Sequence, residues 1–184
     1  MLVAIQTPVL LFIYHFFGPD SWLSGLTIFF AVWFPWVIGL IPFVWEIFLR
    51  EDSEVRRTLT RLYLAPVSVF VVTAIIKFFY HTPRPFAYLE IPPAFVVSSD
   101  PFGLASFPSS HTAFFAALAT TMYFCNHTMG KWYMLAAFVI GFARIGAGVH
   151  WPLDILGGAL LGISIAVLIE FLLPFVWKDH MPKC

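Results

Sequence analysis

Charged residues are scarce in this sequence. Only 11% of its 184 residues are Asp, Glu, Lys or Arg, and ten basic residues balance ten acidic ones to give a formal net charge of zero. Because soluble domains carry about 25% charged residues, this composition excludes an ordinary soluble domain. The absence of a basic excess also argues against a nucleic acid partner.

Cysteines and clustered carboxylates are equally rare. The two cysteines, Cys125 and Cys184, form no CxxC pair, so we expect neither a disulfide framework nor a zinc site. The sequence has no HExxH motif and no cluster of acidic residues of the kind that binds magnesium. We therefore expect metal-independent chemistry without any cofactor.

Apolar residues make up 60% of the chain. They form long runs at residues 24–49, 62–80, 111–126, 132–149 and 153–176, which are predicted to span a bilayer as helices. The shorter run 2–17 is interrupted by polar residues and by Pro8, so we expect it to lie in the membrane interface, with a sixth span as the alternative. The sequence thus predicts an all-α integral membrane protein, a bundle of five to six transmembrane helices, as a single domain over residues 1–184.

The segments between these runs are predicted to be a charged loop at 50–61, a longer loop at 81–110 and a tight turn at 126–131. If the spans alternate, seven cations fall on one side of the membrane: Arg50, Arg56, Arg57, Arg61, Lys131, Lys178 and Lys183. The positive-inside rule assigns that side to the cytoplasm. We therefore expect a multi-pass protein of the cell membrane whose remaining cations, Lys77, Arg84 and Arg144, lie at the extracytoplasmic face.

Those three cations belong to three polar clusters in an otherwise apolar stretch. Arginine forks match phosphate oxygens in a bidentate way, and lysine adds a point charge. Cations near hydrocarbon are costly unless they are paired or used, although each one alone could be snorkelling towards headgroups. The clusters are Lys77 with Arg84 and Pro85, then Pro108-Ser109-Ser110-His111, then Arg144 with His150 and Asp154.

The two histidines suggest complementary roles. His150 and Asp154 are four residues apart and can share a helix face, where a carboxylate would fix the imidazole tautomer for nucleophilic attack on phosphorus. His111 follows Ser109 and Ser110 at a helix start, where free N–H groups can hold an anion and a histidine can protonate a leaving group. The alternatives are a helix-capping pair for the first set and an ordinary serine N-cap for the second.

The pattern resembles the type 2 phosphatidic acid phosphatase (PAP2) superfamily. The family signature is Lys-x6-Arg-Pro, Pro-Ser-Gly-His and Ser-Arg-x5-His-x3-Asp, and it matches here from Lys77 to about residue 158 with all spacings kept. Two positions differ, because Ser110 replaces the glycine and Ala143 replaces the serine before the arginine. The stretches around His111 and His150 are similar to the bacterial undecaprenyl-diphosphatase branch.

The resemblance implies a haloperoxidase-like helical bundle and a lipid phosphate or diphosphate phosphatase, acting on undecaprenyl diphosphate through a phosphohistidine. It implies His150 as nucleophile, His111 as acid and Asp154 as the orienting carboxylate, with phosphate bound by Lys77, Arg84, Ser109, Ser110 and Arg144. Phosphatidylglycerophosphate, phosphatidate and lipid A phosphates are alternative substrates. A lipid phosphotransferase or a membrane transporter is the alternative of another kind, and the oligomeric state is open.

Overall fold

The computed structural model describes residues 2–49, 52–96 and 105–177, and within these ranges the chain is helical without a β-strand. The helices are α1 (Leu2–Phe17), α2 (Ser24–Ile28), α3 (Phe34–Leu49), α4 (Asp52–Phe79), α5 (Pro85–Leu89), α6 (Ser110–Cys125), α7 (His127–Gly146) and α8 (Pro152–Trp177). A π-helical turn, Phe29–Trp33, joins α2 to α3 without a break. The prediction of an all-α bundle is confirmed.

Three helical segments are long and apolar enough to cross a membrane: Ser24–Trp45, Thr58–Phe79 and Pro152–Phe175. Their outer faces are covered with large apolar side chains; Trp36 is 68% exposed and Leu160 is 66% exposed. Apolar surface on this scale requires lipid rather than water around it. Helix α1 is apolar but shorter, at about 24 Å for its sixteen residues, so its place in the interface or across the bilayer stays a prediction.

Helix α6 is the centre of the bundle and packs against α8, α7 and α4. Its contact with α8 is very close: a Cβ atom on Gly162 would lie 2.2 Å from the carbonyl oxygen of Ala113, and one on Gly158 would lie 2.6 Å from that of Ser109. Small residues at four-residue spacing allow this backbone contact between membrane helices. The packing aligns the N-termini of α6 and α8, which carry His111 and Asp154.

The predicted loop at residues 50–61 is wrong for residues 52–61, which form the first turns of α4. The side chain of Arg61 is buried and makes a two-point ion pair with Glu170 of α8, with Nη2 3.0 Å from Oε2 and Nε 3.4 Å from Oε1. A charged stretch suggested a solvated loop, but this pairing supports a helix at the bundle wall. Residues 50 and 51 lie outside the described ranges.

The predicted turn at residues 126–131 is reduced to one residue. Asn126 caps α7, because its Oδ1 accepts hydrogen bonds from the backbone N–H groups of Thr128 at 3.0 Å and Met129 at 3.1 Å. An asparagine cap lets the next helix start at once. The neighbouring Cys125 is disulfide-bonded, so the expectation of no disulfide, which rested on the absence of a CxxC pair, is wrong for this residue; Cys184 lies outside the described residues.

Candidate active site

The three polar clusters lie together at one end of the bundle. Lys77 is in the last turn of α4, Arg144 in the last turn of α7, and Asp154 in the first turn of α8. Arg84 immediately precedes α5, and its side chain is 4% exposed. The charges of all three cations act electrostatically on both His111 and His150. The fold therefore brings residues that are up to 77 positions apart in sequence into one buried site.

Asp154 both caps α8 and contacts His150. Its Oδ2 accepts a hydrogen bond from the backbone N–H of Trp151 at 2.7 Å, as in the return half of a capping box. The same oxygen lies 3.4 Å from Nδ1 of His150, and both side chains are buried. The capping and orienting interpretations of this pair are therefore compatible, since one carboxylate makes both contacts.

Arg84 favours one of the two tautomers of His150. Its Nη1 donates to the carbonyl of Val149 at 2.8 Å and lies 3.3 Å from Nε2 of His150. Because a guanidinium has donors but no acceptor, Nε2 must be the acceptor in this contact. In the neutral ring Nδ1 then carries the proton and points it towards Asp154, which leaves Nε2 unprotonated with its lone pair available.

His150 lies in the turn between α7 and α8 and is 1% exposed. Burial lowers the pKa of its imidazole well below the usual value, and the neighbouring cations Arg84, Arg144 and Lys77 lower that pKa further. Both effects disfavour the protonated ring. The neutral imidazole is therefore the resting form at neutral pH.

Arg144 is buried with part of its guanidinium unused. Its Nη1 donates to the carbonyl of Ala31 at 3.1 Å, and its carbon Cζ lies 5.8 Å from the centre of the Phe95 ring. Its Nε has no hydrogen-bond partner among the described residues, although it is fully buried. A buried donor without a partner costs about 1–3 kcal/mol, so a bound anion at this position would relieve a penalty.

The two serines of the second cluster differ in their surroundings. Ser109 is the N-cap of α6, and its Oγ accepts from the backbone N–H of Thr112 at 3.5 Å and from the hydroxyl of Thr112 at 3.1 Å. Ser110 accepts from the hydroxyl of Thr73 at 3.0 Å. The N-cap alternative for Ser109 is thus realised, and contact of either serine with phosphate stays a prediction.

Two polar residues to which the sequence analysis gave no role also contact the site. The hydroxyl of Ser106 donates to Oδ2 of Asp154 and lies 3.5 Å from Nδ1 of His150. Gln6 of α1 accepts from the backbone N–H of Leu153 at 3.2 Å, in the first turn of α8. Gln6 is visible as a lone polar residue in an apolar run, whereas an isolated serine in a loop gives no comparable signal.

An apolar groove of about 420 Å³ leads to His111 and Ser110 from between α3, α4 and α6. The other lining residues are Pro35, Trp36, Gly39, Leu40, Tyr63, Val67, Phe70, Val71, Phe114 and Phe115. Pockets of this size with apolar walls and a few polar groups are typical of small-molecule sites. Within the described ranges, no three His, Cys, Asp or Glu side chains are grouped so as to hold a metal ion.

Two bacterial proteins are similar to this chain over most of its length. Undecaprenyl-diphosphatase BcrC of Bacillus subtilis (strain 168) is 30% identical over 134 residues, covering 71% of this chain and 67% of that protein. Putative undecaprenyl-diphosphatase YbjG of Escherichia coli (strain K12) is 34% identical over 152 residues, covering 79% of this chain and 72% of that protein.

A solved structure and a protein family also match this chain. The crystal structure of Aquifex aeolicus LpxE superposes with a TM-score of 0.69 at 28% identity, over 91% of this chain and 95% of that one. Residues 58–178, which include all three polar clusters, match the PAP2 superfamily. The resemblance seen in the motifs is therefore confirmed, and the chain belongs to the PAP2 superfamily.

Proposed function

We propose that this enzyme, a lipid phosphate phosphatase of the membrane, removes the terminal phosphate of undecaprenyl diphosphate at the extracytoplasmic face. The observation that carries the proposal is the grouping of two histidines and three buried cations at the head of an apolar groove. Two relatives named undecaprenyl-diphosphatase support the choice of substrate. The outward orientation rests on the distribution of Lys and Arg along the sequence.

In the first step, the lone pair of Nε2 of His150 attacks the terminal phosphorus. The bond between that phosphorus and the bridging oxygen breaks, and its electron pair goes to the departing undecaprenyl phosphate. His111 donates a proton to this oxygen when it enters the step protonated. The His150 ring becomes a phosphorylated cation, which the Asp154 carboxylate stabilises through the proton on Nδ1.

In the second step, water attacks the phosphorus of the phosphohistidine. His111, now neutral, takes a proton from that water, and the N–P bond breaks with its electrons returning to Nε2. Inorganic phosphate leaves and the starting enzyme is restored. One histidine thus serves as acid in the first half and as base in the second, since the second half-reaction runs like the reverse of the first with water in place of the lipid phosphate.

Lys77, Arg84 and Arg144 are proposed to bind the phosphoryl group and to stabilise the charge on its equatorial oxygens. The unpartnered Nε of Arg144 is a donor available for this purpose. Binding by fixed cations in a dry site requires little rearrangement during the reaction. Ser109 and Ser110 lie at the N-terminus of α6, and this end of the helix is proposed to bind the same phosphoryl group through its free N–H groups.

The groove supports a lipid substrate. Its walls are apolar, and Trp36, Val67 and Phe70 are also exposed on the lipid-facing surface, so a hydrocarbon chain can enter from the side while its headgroup stays with His111. The shared motifs recognise phosphate rather than the tail, so lipid A phosphates and glycerophospholipid phosphates are the competing substrates.

Phosphate release by the purified protein should be compared among undecaprenyl diphosphate, phosphatidylglycerophosphate, phosphatidate and a lipid A phosphate. We expect kcat/KM to be at least about 10-fold higher for undecaprenyl diphosphate and unchanged by EDTA. A higher kcat/KM for one of the other lipids would contradict the proposal that undecaprenyl diphosphate is the substrate. Loss of activity with EDTA would contradict metal independence. If no phosphate is released from any of the four lipids, or if phosphate is transferred to a second lipid, the proposal that the protein is a hydrolase is contradicted.

The pH dependence of kcat/KM should show the low pKa of His150. Because that pKa is lowered, Nε2 stays unprotonated as the pH falls through 6.5, and the acidic loss of activity attributable to His150 lies below that pH. In Arg84→Gln a cation that lowers the pKa is gone, so the remaining activity should be lost at a higher pH than in wild type. The substrate titrates identically in both proteins, so an unshifted profile would contradict this prediction.

A further inference from the structure

Ser106 is held in place by its backbone as well as by its side chain. It is fully buried, its N–H donates to the carbonyl of Thr82 at 2.8 Å, and the preceding Ala105 forms an antiparallel bridge with Pro83. These contacts attach Ser106 to the segment that leads into Arg84. The position of the hydroxyl is therefore tied to the backbone of the segment that precedes Arg84.

The hydroxyl of Ser106 lies between the carboxylate and the imidazole. It donates to Oδ2 of Asp154, and its oxygen is 3.5 Å from Nδ1 of His150. A hydroxyl can donate one hydrogen bond and accept others at the same time. Ser106 can thus restrain the carboxylate with its proton while its oxygen accepts from the Nδ1–H group.

We propose that Ser106 is a positioning residue of this site, which orients the Asp154 carboxylate and keeps the His150 proton on Nδ1, so that Nε2 carries the attacking lone pair. The inference rests on the proposed function, in which His150 is the nucleophile. It extends that function, since neither the matched signature nor its spacing includes Ser106.

The chemistry explains why a second group is needed there. Oδ2 of Asp154 already accepts a hydrogen bond from the N–H of Trp151 at 2.7 Å, and its contact with Nδ1 of His150 is long at 3.4 Å. A carboxylate held by Trp151 alone could rotate about that bond, and the 3.3 Å contact of Arg84 with Nε2 would then be the remaining constraint on the position of the proton. A neutral ring protonated on Nε2 cannot attack phosphorus, so even partial loss of the correct tautomer lowers the rate.

Two substitutions separate this role from simple packing. Ser106→Ala removes the hydroxyl, and Ser106→Cys keeps a side chain of similar size with only a weak donor. We expect kcat to fall about 10- to 100-fold in both variants, the range typical of groups that orient a reacting ligand, with KM within about twofold of wild type. The matched control is Thr120→Ala, which removes a buried hydroxyl of α6 that bonds only the helix carbonyl of Ala116 in the described structure; its kcat should be unchanged.

The decisive readout is the tautomer of His150, measured from the ¹⁵N shifts of its ring in protein labelled at histidine. The six histidines are distinguished by the signal that disappears in His150→Gln. Wild type should show a protonated Nδ1 and an unprotonated Nε2, and Ser106→Ala and Ser106→Cys should both shift the two signals towards an average.

Wild-type activity in Ser106→Cys, or an unchanged tautomer in both variants, would overturn the proposal and leave Ser106 a packing residue. If Ser106→Ala does not fold, Ser106→Cys alone decides the question. The spectra need no substrate, so the proposal can fail or hold whether or not undecaprenyl diphosphate is hydrolysed.

Discussion

His150→Ala should release no measurable phosphate from any lipid substrate, with kcat reduced by at least about 10⁴-fold. Removal of a nucleophile eliminates the covalent route altogether, and comparable losses accompany removal of the nucleophile in other hydrolases. The substitution also removes a ring that Arg84 and Asp154 contact at 3.3 Å and 3.4 Å. The measurement is phosphate release over hours at saturating substrate.

Two controls make the result specific to the nucleophile. His127→Ala alters an exposed histidine at the start of α7 and should keep wild-type activity. The unfolding temperature of His150→Ala in detergent should show that the variant is folded. Substantial phosphate release by folded His150→Ala would contradict attack by this residue and would favour direct attack by water.

His111→Gln should lose activity to a degree that depends on the leaving group. General acid catalysis contributes about 10²- to 10⁴-fold, and it matters most when a poor leaving group must be protonated. For a polyprenyl monophosphate, which expels an alkoxide, we therefore expect the rate of the first step to fall by a factor near the upper end of that range. For the diphosphate, which expels a stable phosphate, the first step should be slowed much less.

The comparison requires the first step to be measured by itself, in single turnovers that follow release of the lipid product. Equal losses on the two substrates would contradict the role of His111 as the acid. Since His111 also activates the water, its loss should slow the second step with both substrates. With the diphosphate, His111→Gln should then accumulate the phosphorylated enzyme.

The sequence predicted which polar residues the fold groups together better than it predicted the segments around them. Lys77, Arg84, Arg144, His111, His150 and Asp154 stand out because polar residues are rare in this chain and each is costly near lipid. The predicted helices were also found, since apolar runs of this length leave few alternatives. Charged residues such as Arg61 were misleading, because the pairing with Glu170 that permits a helix depends on distant sequence.

The features that the sequence did not predict depend on how closely segments that are distant in sequence approach one another in the fold. The close approach of α6 and α8 at Gly158 and Gly162, which aligns the ends that carry His111 and Asp154, follows from the packing of two distant helices. The contacts of Ser106 and Gln6 with the start of α8 likewise depend on how loops and helices meet. No local pattern marks Ser106, since a buried serine and an exposed one look alike in sequence.

The most direct test of the account is detection of the phosphohistidine on His150. Enzyme would be mixed with undecaprenyl diphosphate carrying ³²P in its terminal phosphate, quenched in alkali, where phosphohistidine is stable, and counted for protein-bound label. The account predicts label approaching one phosphate per chain in His111→Gln, lost on acidification, and none in the double variant His111→Gln/His150→Ala. Equal labelling of the double variant, or turnover by His111→Gln without any protein-bound label, would contradict it.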